Sequence, residues 1–199
     1  MKTEKFADRE EWLAARPGRI TGTRAGSLLS KRDKKPLKAF YELIAERVAI
    51  PHDGENVMDR GLRLEDEAIE RFKTETGKKV NTDLVICSRD EESNISYSPD
   101  GLIGKTEDVE VKCLNSAAHI EAFLTKEIPA EYEGQIIQGF VVNDKLKTRY
   151  MVFYDPRMPR DFFYLTIKRP DLQDKITEYL EMEREVLRQA VEIEKLLTF

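Results

Sequence analysis

A chain of 199 residues, 40% hydrophobic and 36% charged, is long enough for one domain with a substantial core and short for two. Its net charge of −5 argues against a protein that coats nucleic acid over its whole surface, while a local basic patch beside a carboxylate cluster stays open. No apolar run reaches membrane-spanning length, no apolar stretch follows the first lysines as in a secretory signal, and the two cysteines, Cys87 and Cys113, form no CxxC pattern. The expectation is a single domain, 1–199, in a reducing cytoplasm, with no membrane partner.

In chain order, Asp8 to Ala15 reads as a short helix that ends at the turn Arg16-Pro17-Gly18. A second short helix opens near Thr23, a plausible N-cap, with Ala25, Leu28 and Leu29 on its apolar side. Lys31-Arg32-Asp33-Lys34-Lys35-Pro36 is a basic loop. Leu37 to Val48 is amphipathic, with Phe40, Leu43, Ile44 and Val48 at helical spacing. A longer helix, Val57 to Thr76, buries Leu62, Ala68, Ile69 and Phe72 and stops at Gly77. Strands are expected over Val80–Cys87, Ile95–Ser98, Gly101–Gly104 and Val109–Cys113, then helices over Ala117–Leu124 and Ala130–Asn143. Two further strands, Arg149–Tyr154 and Phe162–Lys168, precede a closing helix, Asp171–Leu197. This order gives an α/β fold with a sheet covered by helices.

The segment that carries chemistry is Ser98-Pro99-Asp100-Gly101-Leu102, followed by Glu110-Val111-Lys112. Residues two apart on a strand share a face, so Glu110 and Lys112 point one way and Val111 into the core. Pro99 and Gly101 make Asp100 a turn residue at a strand edge, where a β-turn-β connection can bring it beside Glu110. Two carboxylates and an ammonium suit phosphodiester hydrolysis. The carboxylates, with the Val111 carbonyl, offer the hard oxygens that Mg²⁺ prefers. The lysine orients or deprotonates water and offsets charge building on the phosphate. Charged groups on a half-buried strand are costly unless paired or metal-bound, which gives this string more weight than its composition alone. Glu65, inside the long helix, and Gln135, in Tyr132-Glu133-Gly134-Gln135, are further candidates. The bland reading of each is a solvated helix side chain.

Taken together, a helix glutamate, SPDG, ExK and YxxQ in this order resemble the phage lambda exonuclease and YqaJ viral recombinase family, a branch of the PD-(D/E)xK nuclease superfamily. The resemblance spans roughly Trp12 to Pro170 and includes Arg16-Pro17-Gly18-Arg19-Ile20-Thr21 and Tyr154-Asp155-Pro156-Arg157-Met158. It implies a restriction-endonuclease-like central mixed sheet flanked by helices. It also implies a Mg²⁺-dependent 5′→3′ exonuclease, with Mn²⁺ able to substitute, that shortens one strand of linear double-stranded DNA and leaves a 3′ overhang for recombination. The implied metal ligands are Asp100, Glu110 and the Val111 carbonyl, with Glu65 supporting a second metal or its water, Lys112 as the catalytic lysine and Gln135 beside the site.

The same resemblance implies a 5′-phosphate pocket of Arg16, Thr23 and Ser98, next to Gln135. An arginine fork and hydroxyl donors suit that anion. Met58 falls where the family places an apolar wedge against the terminal base pair; core filler is the other reading. Lys31, Arg32, Lys34 and Lys35 either follow duplex phosphates or form a solvated loop. Double-stranded DNA ends, a single-strand annealing protein, a ring-shaped homotrimer, and a phage or prophage origin inside a bacterial cell follow from the resemblance alone. Two rivals stand: an endonuclease of the same superfamily, which has no use for a 5′-phosphate pocket, and a catalytically inactive DNA-end-binding scaffold.

Overall fold

In a computed structural model of the chain, residues 7, 8, 11, 28, 30, 32, 33, 35–49 and 57–197 are described, the side chains of 57–63 and 190–197 excepted. The elements are α1 (Lys38–Val48), α2 (Val57–Thr76), β1 (Cys87–Ser88), β2 (Ser96–Tyr97), β3 (Gly101–Ile103), β4 (Glu107–Lys112), α3 (Ser116–Thr125), α4 (Glu133–Val142), β5 (Thr148–Tyr154), β6 (Phe162–Lys168) and α5 (Gln173–Leu197). Short 3-10 turns at Ala130–Tyr132 and Arg169–Leu172 lead into α4 and α5. The expected helices at Asp8–Ala15 and after Thr23 lie outside the described residues, apart from scattered positions.

The main sheet has the order β3-β4-β5-β6. β4 and β5 run parallel, while β3 pairs with β4 and β6 with β5 antiparallel. It is the mixed sheet flanked by helices that the sequence led one to expect. The parallel pair needs a long crossover, and α3 and α4 supply it.

Strand alternation sorts the core into two layers. Tyr150, Val152 and Tyr154 of β5 join Val109 and Val111 of β4 against Leu64, Ala68, Ile69 and Phe72 of α2. Met151 and Phe153 face the other way and pack with Ile136, Ile137 and Phe140 of α4 and Ile176 of α5. A smaller cluster joins Tyr41 of α1 to Ala117 and Ile120 of α3, with Met158 against it. Gly77 ends α2 as expected: it takes φ +68° and donates its N–H to the Lys73 carbonyl at 2.8 Å.

Two expectations need correction. The strand Val80–Cys87 does not form. Asn81 bridges Leu102, but its side chain accepts the Asp83 N–H at 2.9 Å and bends the chain there. The alternating Leu84 and Ile86 then find no face among the described residues to bury against and are 103% and 76% exposed. In α1, Leu43 is buried, whereas Val48, expected on the apolar side, is exposed in the last turn.

Candidate active site

β3 pairs with only the first half of β4, which runs three residues beyond it. The ladder pairs Gly101 with Val109, so β4 beyond Val109 has a free edge on that side. Asp100, at the turn into β3, fills it with a side chain: its Oδ2 accepts the Val111 N–H at 2.6 Å. This contact fixes Asp100 against β4 and explains why the turn residues around it are what they are. Pro99 is buried, and a Cβ at Gly101 would meet Val80 Cγ1 at 2.3 Å.

The side chain of Lys112 donates to Glu110 Oε1 at 2.7 Å. Lys112 also lies over the Tyr132 ring, 5.1 Å from its centroid. Glu110 is only 7% exposed although it carries a carboxylate. Glu65, half-buried on α2, completes the group electrostatically: its proton affinity is raised by burial, then by the charges of Asp66 and Glu110, against the pull of Lys112. Asp100 shows the strain most clearly. Burial and the neighbouring Glu110 and Glu65 charges push its pKa up to about 7, despite the Val111 N–H and Lys112.

A site that crowds carboxylates until one holds its proton near neutrality is a site that a divalent cation would relieve. Among the described residues no three His, Cys, Asp or Glu side chains converge on one point. Magnesium does not require three. It keeps several waters and commonly binds one or two carboxylates together with substrate phosphate. Asp100 and Glu110, with the Val111 carbonyl, fit that demand by donor chemistry.

Other expected residues fare differently. Ser98 is exposed, two positions before Asp100. The side chain of Gln135 is exposed on the first turn of α4, while its backbone carbonyl is engaged from below by Arg149 at 2.6 Å. Arg32 and Lys35 are exposed on a turn in which Ser30 Oγ accepts the N–H groups of Arg32 and Asp33. Arg16, Thr23, Lys31, Lys34 and the side chain of Met58 lie outside the described residues.

Sequence reasoning missed the group beneath the site. Asp108 shares the face of Glu110 and Lys112, and Arg149, its register partner on β5, donates Nε to Asp108 Oδ1 at 2.8 Å. Both are 0% exposed. The signal was present: an arginine opening an otherwise apolar strand, and an aspartate in step with ExK. The Tyr154-Asp155-Pro156-Arg157-Met158 segment proves to be a latch. The buried Asp155 accepts Ser116 Oγ at 2.6 Å and both arms of Arg157 at 2.9 and 3.0 Å, tying the end of β5 to the start of α3.

Residues 11–145 match the model of the YqaJ-like viral recombinase domain. Among solved structures, an alkaline exonuclease from Laribacter hongkongensis, LHK-Exo, is 29% identical, with a TM-score of 0.55 over 94% of this chain and 99% of that one. The structure of LHK-Exo in complex with dAMP gives 31% identity and a TM-score of 0.55, over 92% of this chain and 99% of that one. No curated protein matches. With the family model covering most of the chain and the site segments falling inside it, the chain belongs to the YqaJ-like viral recombinase domain family.

Proposed function

We propose that the protein is a Mg²⁺-dependent exonuclease that degrades one strand of linear double-stranded DNA from its 5′ end. The observation that carries this reading is the half-buried Asp100 beside the buried Glu110, with Lys112 hydrogen-bonded to Glu110 at 2.7 Å, together with the likeness to an alkaline exonuclease. A bound divalent cation supplies Lewis acidity toward the phosphoryl oxygen and a more acidic water.

The chain's own residues do the rest. Asp100 and Glu110 would hold the ion beside the scissile phosphate. Lys112, free to exchange Glu110 for the reacting phosphate or its water, orients the nucleophile and offsets the developing charge. Glu65 adds a carboxylate at the same mouth. Ser98, with Arg16 and Thr23, takes the 5′-phosphate, Gln135 stands beside them, and Met58 meets the terminal base pair. Lys31, Arg32, Lys34 and Lys35 follow the duplex backbone. The resulting 3′ strand would pass to a single-strand annealing protein, and the ring homotrimer and the bacterial cytoplasm belong to the same reading; these rest on the family alone.

The test uses linear duplexes with 5′-phosphate or 5′-hydroxyl ends, in Mg²⁺ or in EDTA, following which strand shortens. The 5′-phosphorylated strand is expected to shorten, only with the metal. Arg16→Ala is expected to erase a preference of about ten- to a hundredfold for the phosphorylated end, since a charge-assisted bidentate contact is lost. Cleavage of closed circular duplex at the same rate would instead make the protein an endonuclease.

A further inference from the structure

Arg149 is a charged side chain that touches no solvent and makes three hydrogen bonds. Its Nε binds Asp108 at 2.8 Å. Its Nη1 donates to two backbone carbonyls in the first turn of α4, Gln135 at 2.6 Å and Ile136 at 2.9 Å. Its Nη2 hydrogen-bonds to nothing among the described residues and lies 3.6 Å from Glu110 Oε2. The Tyr97 ring covers the guanidinium at 5.2 Å. Gly139, one turn further along α4, leaves it room: a Cβ there would lie 2.4 Å from Arg149 Cζ and Nη1. Because the guanidinium is anchored on three sides, it cannot swing away from such a Cβ.

We propose that Arg149 is a positioning residue for the cleavage site, its single guanidinium setting the distance between the Glu110 carboxylate and the first turn of α4. The inference rests on the nuclease reading above and deepens it. Two arrangements follow from that spacing. Glu110 has one oxygen on Lys112 and the other facing Nη2, so the carboxylate is held between two cationic groups in the orientation in which it would meet a cation. Tyr132, immediately before α4, is carried with the helix and set against Lys112. Arg149 acts only through these groups, because a fully buried side chain cannot meet DNA. A buried ion pair that merely holds β4 to α4 would matter for the fold and for nothing else, and the difference is measurable.

The experiment compares full-length wild type with Arg149→Lys and Gly139→Ala, all well below their melting temperatures. Lysine keeps the charge but loses the fork that spans Asp108, α4 and Glu110. The glycine substitution removes no charged group and intrudes only on the space Arg149 occupies. The readouts are Mn²⁺ affinity by calorimetry without DNA, and kcat and KM on linear duplex. Loss of a residue that orients a metal ligand costs about ten- to a hundredfold in metal affinity or activity. Both variants should therefore bind Mn²⁺ at least about tenfold more weakly and lose a similar factor in kcat, with KM for DNA within about twofold of wild type. Wild-type Mn²⁺ affinity and kcat in both folded variants would overturn the proposal, whatever their melting temperatures. If Arg149→Lys fails to fold, Gly139→Ala decides by the same readings; if both fail to fold, Arg149 is a structural group and the proposal falls. A wild type that neither binds Mn²⁺ nor cleaves DNA sinks the nuclease reading itself, a result distinct from an active wild type matched by its variants.

Discussion

On one side of β4, Val109 and Val111 pack against α2, at 0% and 7% exposure. On the other, Asp108 and Glu110 are equally buried, at 0% and 7%, and Lys112 stands at the rim. One strand thus has an apolar face whose burial stabilises the fold and a charged face whose burial costs free energy. Arg149 offsets that cost at Asp108, Lys112 offsets part of it at Glu110, and Asp100 keeps its proton up to about 7 instead of being offset. The apolar face is required for folding, and on the function proposed above the charged face is kept for chemistry.

Breaking the apolar face should give the largest effect. Val109→Asp places an unpaired carboxylate among Leu64, Phe72 and Tyr150, and a buried charge without a partner costs several kcal/mol. No cooperative melting transition is expected by circular dichroism. The milder Val109→Ala should lower stability by about 2 kcal/mol in denaturant titration. Its kcat should stay near wild type, since nothing on the charged face moves.

On the charged face the pattern inverts. Lys112→Ala should keep its fold and slow turnover about a hundredfold or more, the usual loss when a stabiliser of developing charge is removed. An unfolded spectrum for this variant would instead assign Lys112 to a structural pair with Glu110.

The smallest and most specific effect concerns pH. Asp100 binds its proton up to about 7 in the folded chain, whereas the unfolded chain releases it near 3.9. In EDTA its contribution to stability is therefore full below about 4 and disappears as pH rises through about 7. Melting temperature in EDTA should fall over that window, and Asp100→Asn should flatten the fall. An Asp100→Asn profile parallel to wild type would place the titration on another group.

Most of the fold was legible because its periodicities are strong. The alternation of Tyr150, Met151, Val152, Phe153 and Tyr154 separates two helix layers, and α2 was readable from Ala68, Ile69 and Phe72 with its Gly77 stop. Val80–Cys87 was not, because a short Asn81 side-chain turn outcompetes apolar alternation that has no partner surface among the described residues. Likewise, the convergence of Asp100 on Glu110-Val111-Lys112 followed from strand parity and a Pro-Gly-flanked turn. The Asp108–Arg149 pair did not, because it joins parallel strands across a crossover of 41 positions, and sequence spacing says nothing about which strands neighbour each other. Asp155 sat in a recognisable string, yet only the geometry shows that its carboxylate holds Ser116 and Arg157.

The central claim is that the charged face of β4 is the cutting site, and Glu110→Gln tests it with almost no change in shape. Wild type and variant are incubated with 5′-phosphorylated linear duplex in Mg²⁺ and in EDTA, with nucleotide release, DNA-end binding and circular dichroism followed in parallel. The account predicts release by wild type in Mg²⁺ only, and a folded Glu110→Gln protein that binds the DNA end and releases nothing. Release by Glu110→Gln at a rate near wild type, or by wild type in EDTA, would contradict it.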